Sequence, residues 1–297
     1  MNKIKIITTI ASWPGALKLH KLSFSKYLEE PFELIAVIDT PTKPGPYNLW
    51  DSKLRQSGIE LAKEYCDKVI EVPEEIHNNR RSIYPKTKEL SGNNANLRAS
   101  DSLQIAFNSE ILNSNSKVII VDNDMFPIAN FSWEKLMTDK ICRSVIHTSS
   151  SKFSRKKIDY LWSGLMFIDG EKIPFKNDWS FDCGKVKNVR VDVSGQTHYW
   201  LSKLRNEKLY ELFEPIIHLP SLKWGQNELN DLFTSSLSDF VSQDERNIDG
   251  KFYSELYDGN FLHFRAGSNW NKEPADIVLS RIDNFTKSFM KHLESQK

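Results

Sequence analysis

The amino-acid sequence predicts an α/β protein with a mostly parallel central sheet flanked by helices and a more variable C-terminal half. Three observations predict it. Strand-like and helix-like segments alternate through the first 121 residues, the signature of parallel strands joined by helical crossovers. The runs Phe32–Asp39 and Val118–Val121 are apolar and read as buried strands. No internal repeat, low-complexity tract or linker interrupts the chain, so residues 1–297 read as one domain with a first half, 1–126, and a second half, 127–297.

Each element follows from local pattern. Lys3–Ile10 reads as the first strand, and Trp13-Pro14-Gly15 breaks the chain before a helix over Leu17–Tyr27. Phe32–Asp39 is the second strand, and Thr40–Tyr47, with Pro41, Pro44, Gly45 and Pro46, reads as a loop. A helix over Ser57–Tyr65 leads to a short strand, Lys68–Val72. Residues 73–95 are polar and asparagine-rich and read as a long irregular segment near a site. Leu97, Leu103, Ala106, Phe107, Ile111 and Leu112 recur at helical spacing over Asn96–Leu112, and the strand Lys117–Val121 follows. Beyond Phe126 the rhythm changes. Ser144–His147 and Gly164–Asp169 read as short strands, Trp133–Asp139 and Thr197–Arg205 as helices, and Pro274–Glu294 as a C-terminal helix with proline in its first turn.

Composition narrows the classes of function. The chain is 39% hydrophobic and 27% charged, ordinary for a globular enzyme. Its net charge of +1, from 40 basic and 39 acidic residues, makes no electrostatic case for a nucleic-acid or anionic-membrane partner. Cys66, Cys142 and Cys183 are far apart and include no Cys-x-x-Cys pair, which points to reduced thiols and a cytoplasmic location. The N-terminal segment is too short and interrupted for a signal peptide, and no apolar stretch approaches the ~20 residues of a membrane span.

The chemistry concentrates at Asp122-Asn123-Asp124. A buried strand that delivers two carboxylates, two residues apart, to its C-terminal end can hold a divalent cation, and that end of an open α/β sheet is where ligands bind. Carboxylate oxygens suit Mg²⁺ or Mn²⁺, which keep several waters and bridge to substrate phosphates. The competing reading is a plain turn, since Asp and Asn favour turns.

At these residues the chain resembles the nucleotide-sugar glycosyltransferases of the GT-A fold, in which a Rossmann-like N-terminal half ends in a strand bearing Asp-x-Asp. The resemblance covers the order of elements over residues 1–126 and implies a nucleotide-binding half there, with an acceptor half over 127–297. It implies that Asp122 and Asp124, with Asn123 between them, bind Mn²⁺ or Mg²⁺ together with the donor diphosphate. Asp39 at the end of the second strand, and Thr8, Thr9 and Ala11 at the end of the first, fall where such enzymes hold the nucleoside. Asn94, Arg98 and Asp101 open the helix leading to the metal strand: Arg98 is a candidate phosphate contact, and Asp101 a partner of Arg98 or of the donor sugar. An ordinary i,i+3 ion pair is the alternative for these two.

The segment Phe261-Leu-His-Phe-Arg-Ala-Gly-Ser-Asn-Trp270 resembles the C-terminal His-x-x-Gly…Lys-Pro-Trp segment of glycosyltransferase family 8. There the His completes the metal site, which implies that role for His263. Gly267 follows His263 by four residues rather than three, and Ser268-Asn269 stands where Lys-Pro is expected, so Arg265 or Lys272 has to supply the cationic contact. The resemblance also implies that Trp162, Ser163 and Gly164 line the donor-sugar pocket. It places acceptor and catalytic groups in Phe181–Gly184 and Val191–Trp200, where Asp192 and Asp182 are the carboxylates available, with Gln196 and His198 to orient hydroxyls. A helix cap is the alternative for either carboxylate.

The expected function is therefore metal-dependent transfer of a sugar from a nucleoside diphosphate sugar, a UDP-sugar by analogy, to a glycan, lipid-linked or protein acceptor, with a lean toward retention of configuration. Two other readings compete. Asp122 would be the nucleophile of a haloacid-dehalogenase-like phosphatase, although such chains place that residue near the N-terminus. Alternatively the chain binds glycan or nucleotide without turnover, a role that its eight tryptophans also suit.

Overall fold

The computed structural model describes residues 3–41, 52–77, 95–151, 156–219, 235–249, 252–265 and 273–295. Strand β1 (Ile4–Ile10), helix α1 (Ala16–Tyr27), β2 (Phe32–Ile38), α2 (Ser52–Tyr65), β3 (Lys68–Glu71), α3 (Ala95–Phe107) and β4 (Lys117–Val121) realise the alternation legible in the first half. Then come β5 (Met125–Pro127), α4 (Trp133–Leu136), β6 (Cys142–Ser150), β7 (Lys157–Asp169), β8 (Gly184–Val186), β9 (Val189–Val191) and α5 (Thr197–Asn206). The chain continues through β10 (Phe213–Pro215), β11 (His218–Leu219), α6 (Ser235–Ser242), β12 (Glu255–Tyr257), β13 (Phe261–His263) and α7 (Ala275–Ser295).

The central sheet has the order β10-β6-β7-β4-β1-β2-β3. β1 pairs in parallel with β2 and with β4, and β2 with β3; β7 runs antiparallel between β4 and β6, and β10 is parallel to β6. From β1 the sheet first grows outward through β2 to β3, then resumes on the other side with β4. The C-terminal ends of β1 and β4 thus flank a topological switch point, where open α/β sheets open a ligand crevice.

Helices cover both faces, and the pleat explains how a continuous apolar run serves them. Val118 and Ile120 join the core beneath α3 and α5, with Phe107, Trp200, Leu201 and Leu204. Ile119 and Val121 point the other way, into the core of α1 and α7, with Phe24, Phe285 and Phe289. A strand buried on both sides has no polar face to alternate with.

A second sheet, β11-β12-β13-β5, is antiparallel throughout. β5 leaves directly from the Asp122–Asp124 turn, and β13 pairs with it so that His263 lies opposite Met125. This small sheet brings position 263 to position 124.

Several boundaries differ from the sequence expectation. β6 and β7 extend well past Ser144–His147 and Gly164–Asp169, because the polar residues of their outer ends hide the strand pattern. The helix expected to Leu112 is α-helical only to Phe107 and ends in a π-turn over Asn108–Leu112. α2 starts earlier, at Ser52, and α4 ends at Leu136 rather than Asp139. Residues 74–77 form a helical turn inside the stretch expected to be irregular. The expected loop at 42–47 and most of the irregular segment, 78–94, lie outside the described residues. No helix among the described residues is long and apolar enough to cross a membrane, and the three cysteines form no disulfide.

Candidate metal centre

Backbone hydrogen bonds from three elements set the Asp-Asn-Asp turn. The Asp122 N–H donates to Gly164 O of β7 at 2.8 Å, and Asp122 O accepts the Met125 N–H at 3.1 Å, closing the turn. Asp124 O accepts the Phe264 N–H at 2.8 Å, just past β13. From α1, His20 Nε2 donates to Asn123 O at 3.2 Å. A carbonyl only accepts, so the His20 proton sits on Nε2. Burial lowers the pKa of that ring from 6.5 to about 4, which keeps it neutral near pH 7.

The turn and β13 together gather three ligand-type side chains. One ligand atom each from Asp122, Asp124 and His263 lies within 4.8 Å of the others. His263 Nε2 is 3.2 Å from Asp124 Oδ1, and its Nδ1 is 3.1 Å from Glu255 Oε2. Burial works against a charged His263, but Asp124 and Glu255 outweigh it and hold the imidazole pKa up to about 10. Burial, and then the neighbouring charge of Asp124, push the Asp122 carboxyl up to about 7, with His263 pulling the other way. Two carboxylates converge with too little positive charge to keep both comfortably ionised. A divalent cation would relieve that imbalance, and two carboxylates with one imidazole form a donor set that can hold one. Asn123 Oδ1 is also buried, with no hydrogen-bond partner among the described residues.

The expected pocket residues Trp162, Ser163 and Gly164 lie beside this cluster. The Trp162 ring centroid is 5.6 Å from that of His263, and its faces stack on His147 at 5.4 Å and Tyr257 at 5.1 Å. Ser163 and Gly164 are buried, and Gly164 contacts the turn through the bond from Asp122. Arg265, 46% exposed at the side chain, carries a solvent-facing cation beside the cluster, with Nη1 3.6 Å from Glu255 Oε1. Gly267 and Lys272, like Asn94, lie outside the described residues.

Of the two candidate acids, Asp192 is exposed at the end of β9, and its negative charge raises the pKa of Asp122 and opposes the lowering at His147. Its Oδ1 accepts the Val193 N–H at 2.9 Å. Asp182 lies at the base of the β8–β9 hairpin, where its carbonyl accepts the Gln196 N–H at 3.0 Å. The Gln196 side chain donates to Lys185 O, and His198 Nδ1 bonds Asp159 O, so both are engaged in holding the hairpin and α5 against β7.

The nucleoside candidates gather at the ends of β1 and β2. Thr9, Ala11, Asp39 and Arg98 line one small cavity of about 50 Å³ together with Ala95. Thr8 instead sits inside the sheet, fully buried between Ala36 and Val121. Arg98 is 2% exposed, and its guanidinium donates to Asp39 Oδ1 at 2.7 Å and to Glu74 Oε2 at 2.9 Å. The i,i+3 pairing of Arg98 with Asp101 is replaced by a longer arrangement: buried His77 bridges Asp101 Oδ2 and Asp39 Oδ1, both at 2.8 Å.

Sequence reasoning missed His77, Glu74, His147 and Glu255. His77 and Glu74 sit in a polar stretch without periodicity. Glu255 becomes visible only when β12 is paired with β13. A separate cavity of about 830 Å³ between α6 and α7 shares no lining residue with this site.

No protein-family model matches the chain, and no curated protein matches it in sequence. Among solved structures, the chain is similar to the galactosyltransferase LgtC in complex with donor and acceptor sugar analogues, at 10% identity, 97% of this chain, 96% of that chain and a TM-score of 0.45. It is also similar to mouse xyloside xylosyltransferase 1 in its apo form, at 11% identity, 72% of this chain, 84% of that chain and a TM-score of 0.37. An active-site mutant of LgtC aligns at 13% identity over 57% of this chain and 58% of that chain, with a TM-score of 0.34.

Proposed function

We propose that this chain is a metal-dependent glycosyltransferase that moves a sugar from a nucleoside diphosphate donor, with UDP preferred, to a hydroxyl of a glycan, lipid-linked or protein acceptor. One observation carries the reading: Asp122, Asp124 and His263 converge at the mouth of the β1/β4 switch point, beside a half-exposed arginine. Mg²⁺ and Mn²⁺ are commonly held by one or two carboxylates plus substrate phosphates, which this donor set matches. Bound there, a divalent cation would neutralise charge gathering on the departing diphosphate.

The chain's own residues would do the rest. Arg265, at the rim, adds positive charge toward the diphosphate. Thr9, Ala11 and Asp39 form the nucleoside end; Arg98, enclosed by Asp39 and Glu74, acts there by fixing Asp39 rather than by meeting phosphate. Trp162, Ser163 and Gly164 wall the sugar. Asp192, exposed and electrostatically coupled to Asp122, takes the proton of the acceptor hydroxyl. Asp182 and Gln196 shape the hairpin that presents Asp192. Direct displacement with Asp192 as base inverts the anomeric centre, whereas the resemblance of the C-terminal segment leans toward retention, in which Asp192 would instead face the donor sugar; NMR of the product anomer decides between the two.

A thermal-shift screen of nucleoside diphosphates and their sugars, with and without Mn²⁺, tests the reading. Binding to the folded state alone stabilises by about 2.7 kcal/mol at a hundredfold excess over Kd. The expected result is a nucleotide shift that needs Mn²⁺; no shift with any nucleotide contradicts the proposal.

A further inference from the structure

We propose that Glu255 is the positioning residue of the metal centre: its carboxylate holds His263 by Nδ1, so that Nε2 is presented to Asp122, Asp124 and the cation they bind. The inference rests on the metal reading above and adds a residue to which that reading gave no role.

The register of the small sheet makes the contact. Glu255 on β12 lies directly opposite His263 on β13, so both side chains leave the same face of the pair. Glu255 Oε2 accepts from His263 Nδ1 at 3.1 Å, while Nε2 points at Asp124 Oδ1 at 3.2 Å. Both nitrogens face carboxylates and both carry hydrogen in the charged ring; where a cation takes the place of the Nε2 hydrogen, Glu255 keeps the hydrogen on Nδ1 and so leaves Nε2 as the ligand atom. With both nitrogens engaged, the ring cannot turn without losing a partner.

Glu255 is itself held from several sides. Tyr257 Oη donates to Oε2 at 2.8 Å, while His218 Nε2 and Arg265 Nη1 lie 3.6 Å from Oε1. Its residue is only 8% exposed. A buried acid placed directly behind a ligating histidine is the arrangement that orients metal-bound imidazoles, and its loss typically weakens metal affinity by about 10- to 100-fold.

The test is calorimetric titration of Mn²⁺ alone into the wild-type chain, Glu255→Gln, Tyr257→Phe and Asp124→Asn. We expect Glu255→Gln to weaken Mn²⁺ binding by about 10- to 100-fold, Tyr257→Phe, which removes only one of the groups holding Glu255, to weaken it by a clearly smaller factor, and Asp124→Asn to abolish it. Wild-type affinity in Glu255→Gln, with binding lost in Asp124→Asn, overturns the role of Glu255 and leaves the metal site standing. Absence of Mn²⁺ binding in the wild type overturns both. Equal weakening in Tyr257→Phe marks a general distortion and also overturns the proposal. A measurement on the wild type avoids any folding defect in the variants: Zn²⁺ alone is added as a diamagnetic probe and the ¹⁵N resonances of His263 are followed. The Nε2 resonance is expected to move while Nδ1 stays protonated; metal attachment at Nδ1 refutes the assignment.

Discussion

Gly164→Ala adds one methyl group beside the metal turn, and the geometry states what that methyl meets. A Cβ at position 164 would lie 2.1 Å from Trp162 Cζ2, 2.2 Å from Cη2 and 2.5 Å from Cε2. Carbon atoms rest at about 3.5–4.0 Å, so the indole must withdraw by more than about 1 Å. It has little room to do so, because His147 and Tyr257 stack on it at 5.4 Å and 5.1 Å. Overpacking of this kind costs about 1–3 kcal/mol, and each disturbed aromatic stack adds about 0.5–1.5 kcal/mol. The expected total is about 2–6 kcal/mol, read as a lower urea midpoint at unchanged m-value. Trp162→Ala removes the obstructing ring, so the double variant should be less destabilised than the sum of the two single changes. A Gly164→Ala protein within about 0.5 kcal/mol of the wild type, or strictly additive single changes, would refute the packing argument.

Two further outcomes follow from the same geometry. His20 is buried and neutral in the folded chain, with its pKa lowered from 6.5 to about 4, whereas the unfolded chain takes up a proton below about 6.5. Its contribution to stability is therefore full above pH 6.5 and eroded as pH falls toward 4, by about 3 kcal/mol at most. Urea unfolding at pH 7 and pH 4.5 should show a smaller pH dependence in His20→Leu than in the wild type, and equal slopes count against the assignment. Asp192→Asn keeps the side-chain oxygen that accepts the Val193 N–H, so it should fold and bind Mn²⁺ normally. Its turnover should drop by about 10²- to 10⁴-fold, and undiminished turnover removes Asp192 from the mechanism.

What could be read in the sequence, and what could not, divides along physical lines. β2 and β4 were legible because they are apolar runs, and β1 and β3 because short β-branched segments alternate there with breakers or a helix of clear period. Asp122 and Asp124 were legible as well, because carboxylates closing a β-branched strand are an unusual use of a costly position. His263 came from the resemblance of its flanking residues, and the structure brings it to 3.2 Å from Asp124. The sheet that does so was invisible: β5, β12 and β13 have three residues each, too few to show alternation. Glu255 was hidden for the same reason, since only strand register reveals what it faces. Around Asp39 and Arg98 the residue types were identified, but their partners were not. The i,i+3 geometry suggests Asp101 for Arg98, whereas the fold supplies Glu74 and Asp39 to the guanidinium and places His77 between the two aspartates.

The central claim is that Asp122 and Asp124 hold a cation on which sugar transfer depends. ³¹P NMR of nucleoside diphosphate sugars incubated with the chain, with Mn²⁺ or with chelator, follows release of the nucleoside diphosphate directly. Release is expected to require Mn²⁺ in the wild type and to be lost in a folded Asp124→Asn protein. Release that persists in chelator, or at wild-type rate in Asp124→Asn, contradicts it.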